Sequence, residues 1–246
     1  MIEIKNLTKS FGDVLVWKDV SFRIENGETI AVIGRSGCGK SVLLKHINAL
    51  LSPDSGQVLI DGKNIHEMEY VDQRKIRQKF GILFQGSALF DSINTFENIA
   101  FPLRYFSNDT ESEIKRKVMR SLEYVNLENA ANKETSELSG GMRKRVGLAR
   151  AIILEPEYIM YDEPTSGLDP ETANEINELI VRMAETFDIT SIVITHDMHS
   201  VLKVADKVAF LNKQKLGWFG TLEEMKQSDD QDLLNFITSS EYQIKQ

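Results

Sequence analysis

One stretch of the chain, Gly34-Arg35-Ser36-Gly37-Cys38-Gly39-Lys40-Ser41, has the glycine, lysine and serine spacing of a phosphate-binding loop. Glycines let successive N–H groups face one point, and the helix that follows adds the positive end of its dipole. Lys40 would place a charge on the β- and γ-phosphates, and the Ser41 hydroxyl would be a ligand of Mg²⁺. A chance glycine-rich turn is the alternative, but the stretch lies between an apolar strand and a helix, as a phosphate loop requires. Cys38 is expected to be a small filler residue at an unconstrained position.

Two adjacent acids, Asp162 and Glu163, follow the apolar strand 158–161. Side chains alternate along a strand, so the two carboxylates should point in different directions. Asp162 could then hold Mg²⁺ while Glu163 faces the γ-phosphate and polarises water. By itself, a strand that ends in Asp-Glu is usually only a polar strand end. Downstream of a phosphate loop, it favours nucleotide hydrolysis.

A third stretch, Leu138-Ser139-Gly140-Gly141-Met142, predicts a second anion site. Ser139 has the position of an N-cap, and the glycines leave the first-turn amides of the helix bare. A flexible or Schellman-type glycine turn is the alternative. One nucleotide does not need both sites on one chain, so the economical explanation is a dimer in which each copy completes the other's phosphate loop. The basic residues nearby are expected to be solvated or ion-paired, and no ligand is assigned to them: Arg143, Lys144, Arg145 and Arg150.

The elements that must position these motifs alternate between short apolar strands and helices. Residues 1–33 have the pattern of strands, and 29–33 is a continuous apolar strand of the kind buried in a parallel sheet. A helix is predicted over 40–51, and a hairpin over 57–60 and 63–65, around Asp61-Gly62. Strands return at 158–161 and 191–194. This alternation implies a parallel sheet with crossover helices.

Residues 86–155 have a helical character and look like an insertion into that sheet. Thr110 and Glu113 fit a capping box, and Pro156 closes a helix predicted over 140–154. Further helix starts are expected at Asp169-Pro170 and at a capping box over 221–224.

Length and composition exclude several classes of protein. The 246 residues are 41% hydrophobic and 27% charged, which is typical of a globular chain. Cys38 is the single cysteine, which excludes an internal disulfide framework or a cysteine-cluster metal site. The net charge of −8 argues against nucleic-acid binding. No apolar run reaches the ~18 residues that span a bilayer, and the chain starts without a secretory signal, so we expect a cytosolic location.

Taken together, the motifs resemble those of the ATP-binding-cassette (ABC) ATPases, whose signature is Leu138-Ser139-Gly140-Gly141. The resemblance runs from about residue 2 to 225. It implies an α/β P-loop NTPase fold in a single nucleotide-binding domain over 1–246. Its parts would be a RecA-like parallel-sheet core with an N-terminal antiparallel β subdomain (1–85 and 156–227), an inserted α-helical signature subdomain (86–155) and a C-terminal tail (228–246).

The resemblance also implies roles for single residues. Gln85 matches the glutamine that touches Mg²⁺ and water, and His196 matches the switch histidine that contacts the γ-phosphate. Asp169 ends the loop 166–169 that crosses the dimer. Phe11 lies where the family places an aromatic ring under adenine, although a lone aromatic is more often a core residue. The implied catalytic set is Glu163, His196 and Gln85; the metal set is Ser41, Gln85 and Asp162; and the ATP-binding set is Phe11, Gly34, Arg35, Ser36, Gly37, Cys38, Gly39, Lys40, Ser41, Ser139, Gly140, Gly141 and Asp169.

Two stretches, 41–47 and 84–104, resemble the ATPases of Mla/Mce-type lipid transport systems. This resemblance implies a homodimer that closes around two Mg·ATP and drives an integral membrane permease. The cargo would be phospholipid or a sterol-like lipid, moved across the bacterial envelope from the cytoplasmic face of the inner membrane. Residues 86–105 would dock the permease, although the apolar side chains at 88–90 and 101–103 also suit a helical core. A small regulatory subunit and a lipid-binding periplasmic subunit are further candidate partners.

Other ATPases share the nucleotide motifs. Two alternatives differ from the lipid transporter only in their partners: the ATPase of another importer, which moves a small solute, and a soluble iron–sulfur assembly ATPase. The stretch 84–104 argues against the assembly ATPase. A small P-loop kinase would have no use for the signature at 138–141. A binding-only cassette is disfavoured because Glu163 and His196 are both present. The tail could dock on a partner or cap the domain.

Overall fold

The computed structural model describes the backbone of residues 1–242 and the side chains of residues 1–240. The strands are β1 (Ile2–Phe11), β2 (Val14–Ile24), β3 (Thr29–Ile33), β4 (Ser55–Ile60), β5 (Lys63–Asn64), β6 (Phe80–Leu83), β7 (Tyr158–Asp162), β8 (Thr190–Ile194), β9 (Lys207–Asn212) and β10 (Lys215–Thr221). The helices are α1 (Lys40–Ile47), α2 (Tyr70–Gln78), α3 (Thr95–Phe106), α4 (Glu111–Tyr124), α5 (Gly140–Ile152), α6 (Pro170–Phe187), α7 (Met198–Val204), α8 (Leu222–Lys226) and α9 (Gln231–Tyr242). Among the described residues, none of these helices is long and apolar enough to cross a membrane.

A six-stranded sheet forms the centre of the molecule, with strand order β10-β9-β3-β8-β7-β6. Its neighbours pair in parallel except β9 and β10, which pair antiparallel. Every residue of β3 and β8 is buried, because helices cover both faces of a parallel sheet. The strands β3, β8 and β7 are consecutive in this sheet, so the loops that follow them meet at its carboxyl edge, where ligands bind in open α/β sheets.

A second, antiparallel sheet has the order β2-β1-β4-β5. Its apolar face and α1 share one core with the six-stranded sheet, and Trp17 is fully buried there. Asp61 and Gly62 both have positive φ, as a two-residue hairpin turn between β4 and β5 requires. The parallel core and the N-terminal antiparallel sheet that the sequence predicts are therefore confirmed.

The helices α3, α4 and α5 pack beside this core and bury a continuous apolar cluster. The capping box at Thr110 and Glu113 opens α4, and a second one at Thr221 and Glu224 opens α8, both as predicted. The Ser139 hydroxyl accepts a hydrogen bond from the N–H of Met142 at the start of α5. The division of the chain at residues 86, 156 and 228 stays a prediction.

Several predicted boundaries were wrong. The helix α1 ends at Ile47 instead of Leu51, because Ala49 turns the backbone into the left-handed region at φ 54°. The strand β5 ends at Asn64, whose side chain accepts a hydrogen bond from the N–H of His66 and starts a short 3₁₀ turn. The helix α5 ends at Ile152, two residues before Leu154.

Candidate active site

A cavity of about 820 Å³ opens at the carboxyl edge of the parallel sheet. It has the size of a small-molecule site. Most residues predicted to act on the nucleotide line it together: Gly34, Arg35, Ser36, Gly37, Gly39, Lys40, Ser41, Gln85, Asp162, Glu163 and His196. They come from four separate parts of the chain, which the sheet order brings to one place.

The loop between β3 and α1 holds a conformation that requires glycine. Gly34, Gly37 and Gly39 all have positive φ. A Cβ on Gly34 would lie 2.5 Å from the carbonyl oxygen of Leu211, and one on Gly39 would lie 2.5 Å from the indole nitrogen of Trp17. The start of α1 has no acidic residue in its first turn and no side-chain cap. Its N–H groups and dipole are therefore suited to an anion.

The Lys40 ammonium lies at the base of this loop and is almost completely buried. It donates hydrogen bonds to the carbonyl oxygens of Gly34 at 2.8 Å and Arg35 at 3.3 Å. Cys38 packs against the core beside α1, and burial raises the pKa of its thiol. The backbone N–H of Cys38 donates to the carbonyl of Arg35 at 3.2 Å, and its side chain does not line the cavity.

Ser41 and Asp162 form a pair that could hold a divalent cation. The Ser41 hydroxyl donates to the Asp162 carboxylate at 3.2 Å, and Gln85 lines the same cavity. Burial raises the pKa of Asp162, and the charge of Glu163 acts in the same direction. The described residues include no cluster of three or more His, Cys, Asp or Glu that could bind a metal unaided. Mg²⁺ commonly takes one or two carboxylates plus substrate phosphates, so this hydroxyl and carboxylate fit it.

Glu163 and His196 form a second pair. The Nδ1 of His196 lies 2.9 Å from the Glu163 carboxylate. Glu163 has a left-handed φ of 49°, and its N–H donates to the carbonyl of Ile194 at 2.8 Å. The chain therefore leaves β7 between Asp162 and Glu163. The two adjacent carboxylates consequently contact different partners, and the arrangement offers a proton acceptor on the cavity wall.

The remaining predicted residues lie outside the cavity lining. Gly141 packs so closely on α6 that a Cβ there would lie 2.5 Å from the Thr172 methyl group. Asp169 caps α6 through a 3.0 Å hydrogen bond from the N–H of Thr172. The starts of α5 and α6, with Ser139, Gly140, Gly141 and Asp169, therefore form a second surface. Phe11 is 49% exposed, and Lys9 Nζ lies 5.3 Å from its ring centre.

Sequence reasoning missed some residues of the site. The buried Lys144 donates to the backbone carbonyl of Glu163 at 3.1 Å and to that of Gln85. Three residues of α9 also line the cavity: Phe236, Ser239 and Ser240. The basic character of 143–145 was visible in the sequence, but no local pattern separates Lys144 from its more exposed neighbours.

Comparisons with known proteins point to one family. The family model described as "ABC transporter" matches residues 17–166. The chain is 43% identical over 236 residues to the "Probable ribonucleotide transport ATP-binding protein mkl" of Mycobacterium leprae, covering 96% of this chain and 68% of that protein. It is 41% identical over 237 residues to the "Intermembrane phospholipid transport system ATP-binding protein MlaF" of Haemophilus influenzae, covering 96% of this chain and 90% of that protein.

A solved structure agrees with the fold. The dimeric, post-hydrolysis structure of the ATP-binding cassette MJ0796 bound to ADP and Pi superposes with a TM-score of 0.82 at 30% identity. The match covers 90% of this chain and 99% of that one.

Proposed function

We propose that this chain, which belongs to the ABC transporter family, is the ATPase subunit that powers a lipid-transporting permease of a bacterial envelope. The chain is an ATP-binding, ATP-hydrolysing subunit of that family. The observation that carries the lipid cargo is the similarity to MlaF, which extends over 96% of this chain and 90% of that relative. The chain would then lie on the cytoplasmic face of the inner membrane, held there by the permease.

In the proposed reaction, Lys40 and the loop amides bind the phosphates, and Glu163 takes the proton of the attacking water. His196 orients the Glu163 carboxylate through the 2.9 Å contact at Nδ1. Ser41 and Asp162, with Gln85, would hold Mg²⁺, which neutralises charge on the phosphates when bound. The side chain of Glu163 is only 13% exposed, and this low exposure would strengthen the interaction of its charge with the attacking water.

The site is proposed to need two copies of the chain. Ser139, Gly140, Gly141 and Asp169 lie outside the cavity that holds the phosphate loop. At the start of α5 the Ser139 hydroxyl caps the N–H of Met142, and the N–H groups of Gly140 and Gly141 are left to bind an anion. Head-to-tail pairing would place this surface of one copy over the cavity of the other, and the MJ0796 cassette is itself dimeric. The γ-phosphate would then stabilise the closed dimer, because only that state makes both sets of contacts. Hydrolysis removes those contacts and opens the dimer.

A groove beside the helical region is proposed to receive the permease. It has a volume of about 680 Å³ and is lined by aromatic rings, including Phe84, Phe90, Phe101 and Tyr105. These four side chains are 44–65% exposed, and the ring centres of Phe90 and Phe101 lie 4.9 Å apart. Leu103 is only 1% exposed, so part of the stretch 86–105 belongs to the core. An exposed aromatic groove is typical of a surface that binds an apolar helix.

The partner and cargo are tested by a mild-detergent pull-down of the chain from its native membrane, with mass spectrometry of the proteins and lipids that co-purify. The proposal predicts a multi-span permease together with a lipid-binding subunit that faces the periplasm. If only soluble partners are recovered, the chain is an assembly ATPase and the lipid proposal is wrong.

A second cargo class is favoured by the mkl relative, a probable ribonucleotide transport ATP-binding protein that is 43% identical to this chain. The lipid and ribonucleotide cargo classes are distinguished by reconstituting the chain with its permease in proteoliposomes and measuring ATP hydrolysis. The lipid proposal predicts that turnover responds to the phospholipid composition of the bilayer. Stimulation by a ribonucleotide, with no response to lipid, would support the second class.

A further inference from the structure

The loop that carries Gln85 has an unfavourable backbone. It follows β6, and the next residues, Ser87 and Ala88, have left-handed φ of 62° and 45°. Left-handed conformations cost free energy for any residue with a Cβ, and two in succession persist only where surrounding contacts impose them. Within the loop itself, this conformation is stabilised by a turn hydrogen bond of 2.8 Å from the N–H of Ser87 to the carbonyl of Phe84.

One face of α5 supplies the missing contacts. Lys144, Gly147 and Arg150 follow each other at intervals of three, so they lie along one side of the helix. The Lys144 ammonium donates to the carbonyl of Gln85, and the Arg150 guanidinium donates to the carbonyls of Ser87 at 2.6 Å and Ala88 at 2.8 Å.

Gly147 lets the end of β6, which leads into the loop, approach this face of the helix. A Cβ on Gly147 would lie 2.6 Å from a methyl group of Leu83 and 3.5 Å from the Cβ of Ser87. The end of β6 therefore packs directly on the helix backbone between the two basic side chains, and Ser87 lies next to it.

Lys144 also contacts the backbone of a second residue of the site. Its ammonium donates to the carbonyl of Glu163 at 3.1 Å, so one buried charge joins the backbones of Gln85 and Glu163, which both line the cavity. Burial lowers the pKa of Lys144, while the charges of Asp162 and Glu163 oppose that shift. A buried ammonium is costly unless its hydrogen bonds are made, so these contacts hold the two loops at a fixed separation.

We propose that Lys144 and Arg150 are positioning residues that clamp the Gln85 loop and the Glu163 backbone to α5. The helix α5 begins directly after Ser139. When α5 moves, it would then carry Gln85 with it as part of one rigid unit. Neither side chain lines the cavity that would hold the nucleotide. The inference rests on the roles proposed above for Gln85 and Glu163.

The test compares Lys144→Met with Arg145→Met in the full-length chain. Arg145 lies on the same helix and also donates to a carbonyl, that of Val125 at 3.0 Å, but it contacts Glu175 instead of the site. Steady-state turnover, ATP affinity and amide hydrogen exchange over residues 84–88 are measured for both variants.

The clamp predicts that Lys144→Met lowers turnover by roughly 10- to 100-fold, since small displacements of positioned groups have effects of that size. ATP affinity should stay within about twofold, because the phosphate-binding loop is not touched. Amide exchange over 84–88 should become faster in Lys144→Met. Lys144→Arg keeps hydrogen-bond donors, so its turnover and its exchange rate should both lie closer to those of the wild type. Arg145→Met should change none of these.

Equal behaviour of Lys144→Met and Arg145→Met, or a loss of turnover with unchanged loop exchange, would overturn the clamp. If Lys144→Met does not fold, Arg150→Lys serves instead, because it keeps the charge but loses the two-pronged donation. Faster exchange over 87–88 in that variant supports the clamp, and unchanged exchange contradicts it. Loop exchange reports on the clamp even if Glu163→Gln keeps full turnover, an outcome that would refute only the proposed role of Glu163 as the base.

Discussion

Replacing Glu163 with glutamine is the perturbation that isolates the proposed base. The amide keeps the size of the side chain but cannot take the proton of the attacking water. It also loses the charge that faces His196 Nδ1 at 2.9 Å. A positioned base contributes about 10²- to 10⁴-fold to a rate, so turnover should fall at least ~100-fold, which corresponds to about 2.7 kcal/mol of activation free energy.

ATP binding should survive this substitution. The groups proposed to hold the phosphates are the loop amides and Lys40, whose ammonium is fixed by the carbonyls of Gly34 and Arg35. The side chain of Glu163 makes none of these contacts. Removing its negative charge beside the phosphates should tighten ATP binding, because like charges at close range repel.

The assay is single-turnover hydrolysis with protein in excess, run beside equilibrium ATP binding. Glu185→Gln is the matched control, since it makes the same chemical change at an exposed position of α6. Near-normal turnover of Glu163→Gln would refute the assignment of the base. A parallel loss of ATP binding and turnover would also refute it, because the carboxylate would then act in binding instead of chemistry.

Three further changes test other parts of the account. Ser139→Phe should abolish hydrolysis while each monomer still binds ATP, as measured by steady-state turnover and equilibrium binding. Gly34→Ala should lower the free energy of unfolding by about 1–3 kcal/mol and weaken ATP binding, because its Cβ would meet the Leu211 carbonyl oxygen at 2.5 Å. Burial lowers the pKa of His46, so the unfolded chain binds a proton that the folded chain does not. The free energy of unfolding should therefore fall as the pH drops below about 6.5, and His46→Gln should lessen that fall in denaturant titrations.

Each of these has an outcome that contradicts it. Wild-type hydrolysis by Ser139→Phe would remove the reason for a shared site. Gly62→Ala controls for backbone strain, since Gly62 has a φ of +79° but open space around its Cβ position. Equal losses at Gly34 and Gly62 would show that the contact with Leu211 is unimportant. A fall in stability with pH that is the same in wild type and His46→Gln would assign it to other groups.

The local features of the sequence were largely predictable. Thr110 and Thr221 each cap a helix with the glutamate three residues later, because a capping box is a short-range pattern. The apolar strand 29–33 and the loop after it could be identified for the same reason. The end of α1 could not be predicted from the sequence, since Ala49 adopts a left-handed φ that its side chain does not favour.

Contacts between distant segments were the part that the sequence did not reveal. Lys144 and Arg150 look like other basic residues of a helix, and their carbonyl partners at 85–88 lie about 60 positions away in the chain. Phe236 gave no sign that α9 would border the cavity, because its position depends on packing against Phe210 at a ring-centre distance of 5.2 Å. Such roles depend on the three-dimensional arrangement, for which one sequence has no local pattern.

The central claim, that two copies share each nucleotide site, is tested most directly by mixing two inactive variants. Lys40→Ala damages the phosphate loop, and Ser139→Phe damages the surface that would cover the partner's loop. In a symmetric dimer with shared sites, each mixed pair has one intact site and one doubly damaged site. An equal mixture should therefore regain about a quarter of wild-type hydrolysis, since about half of the dimers are mixed. No recovery above the sum of the two single variants would contradict the shared site.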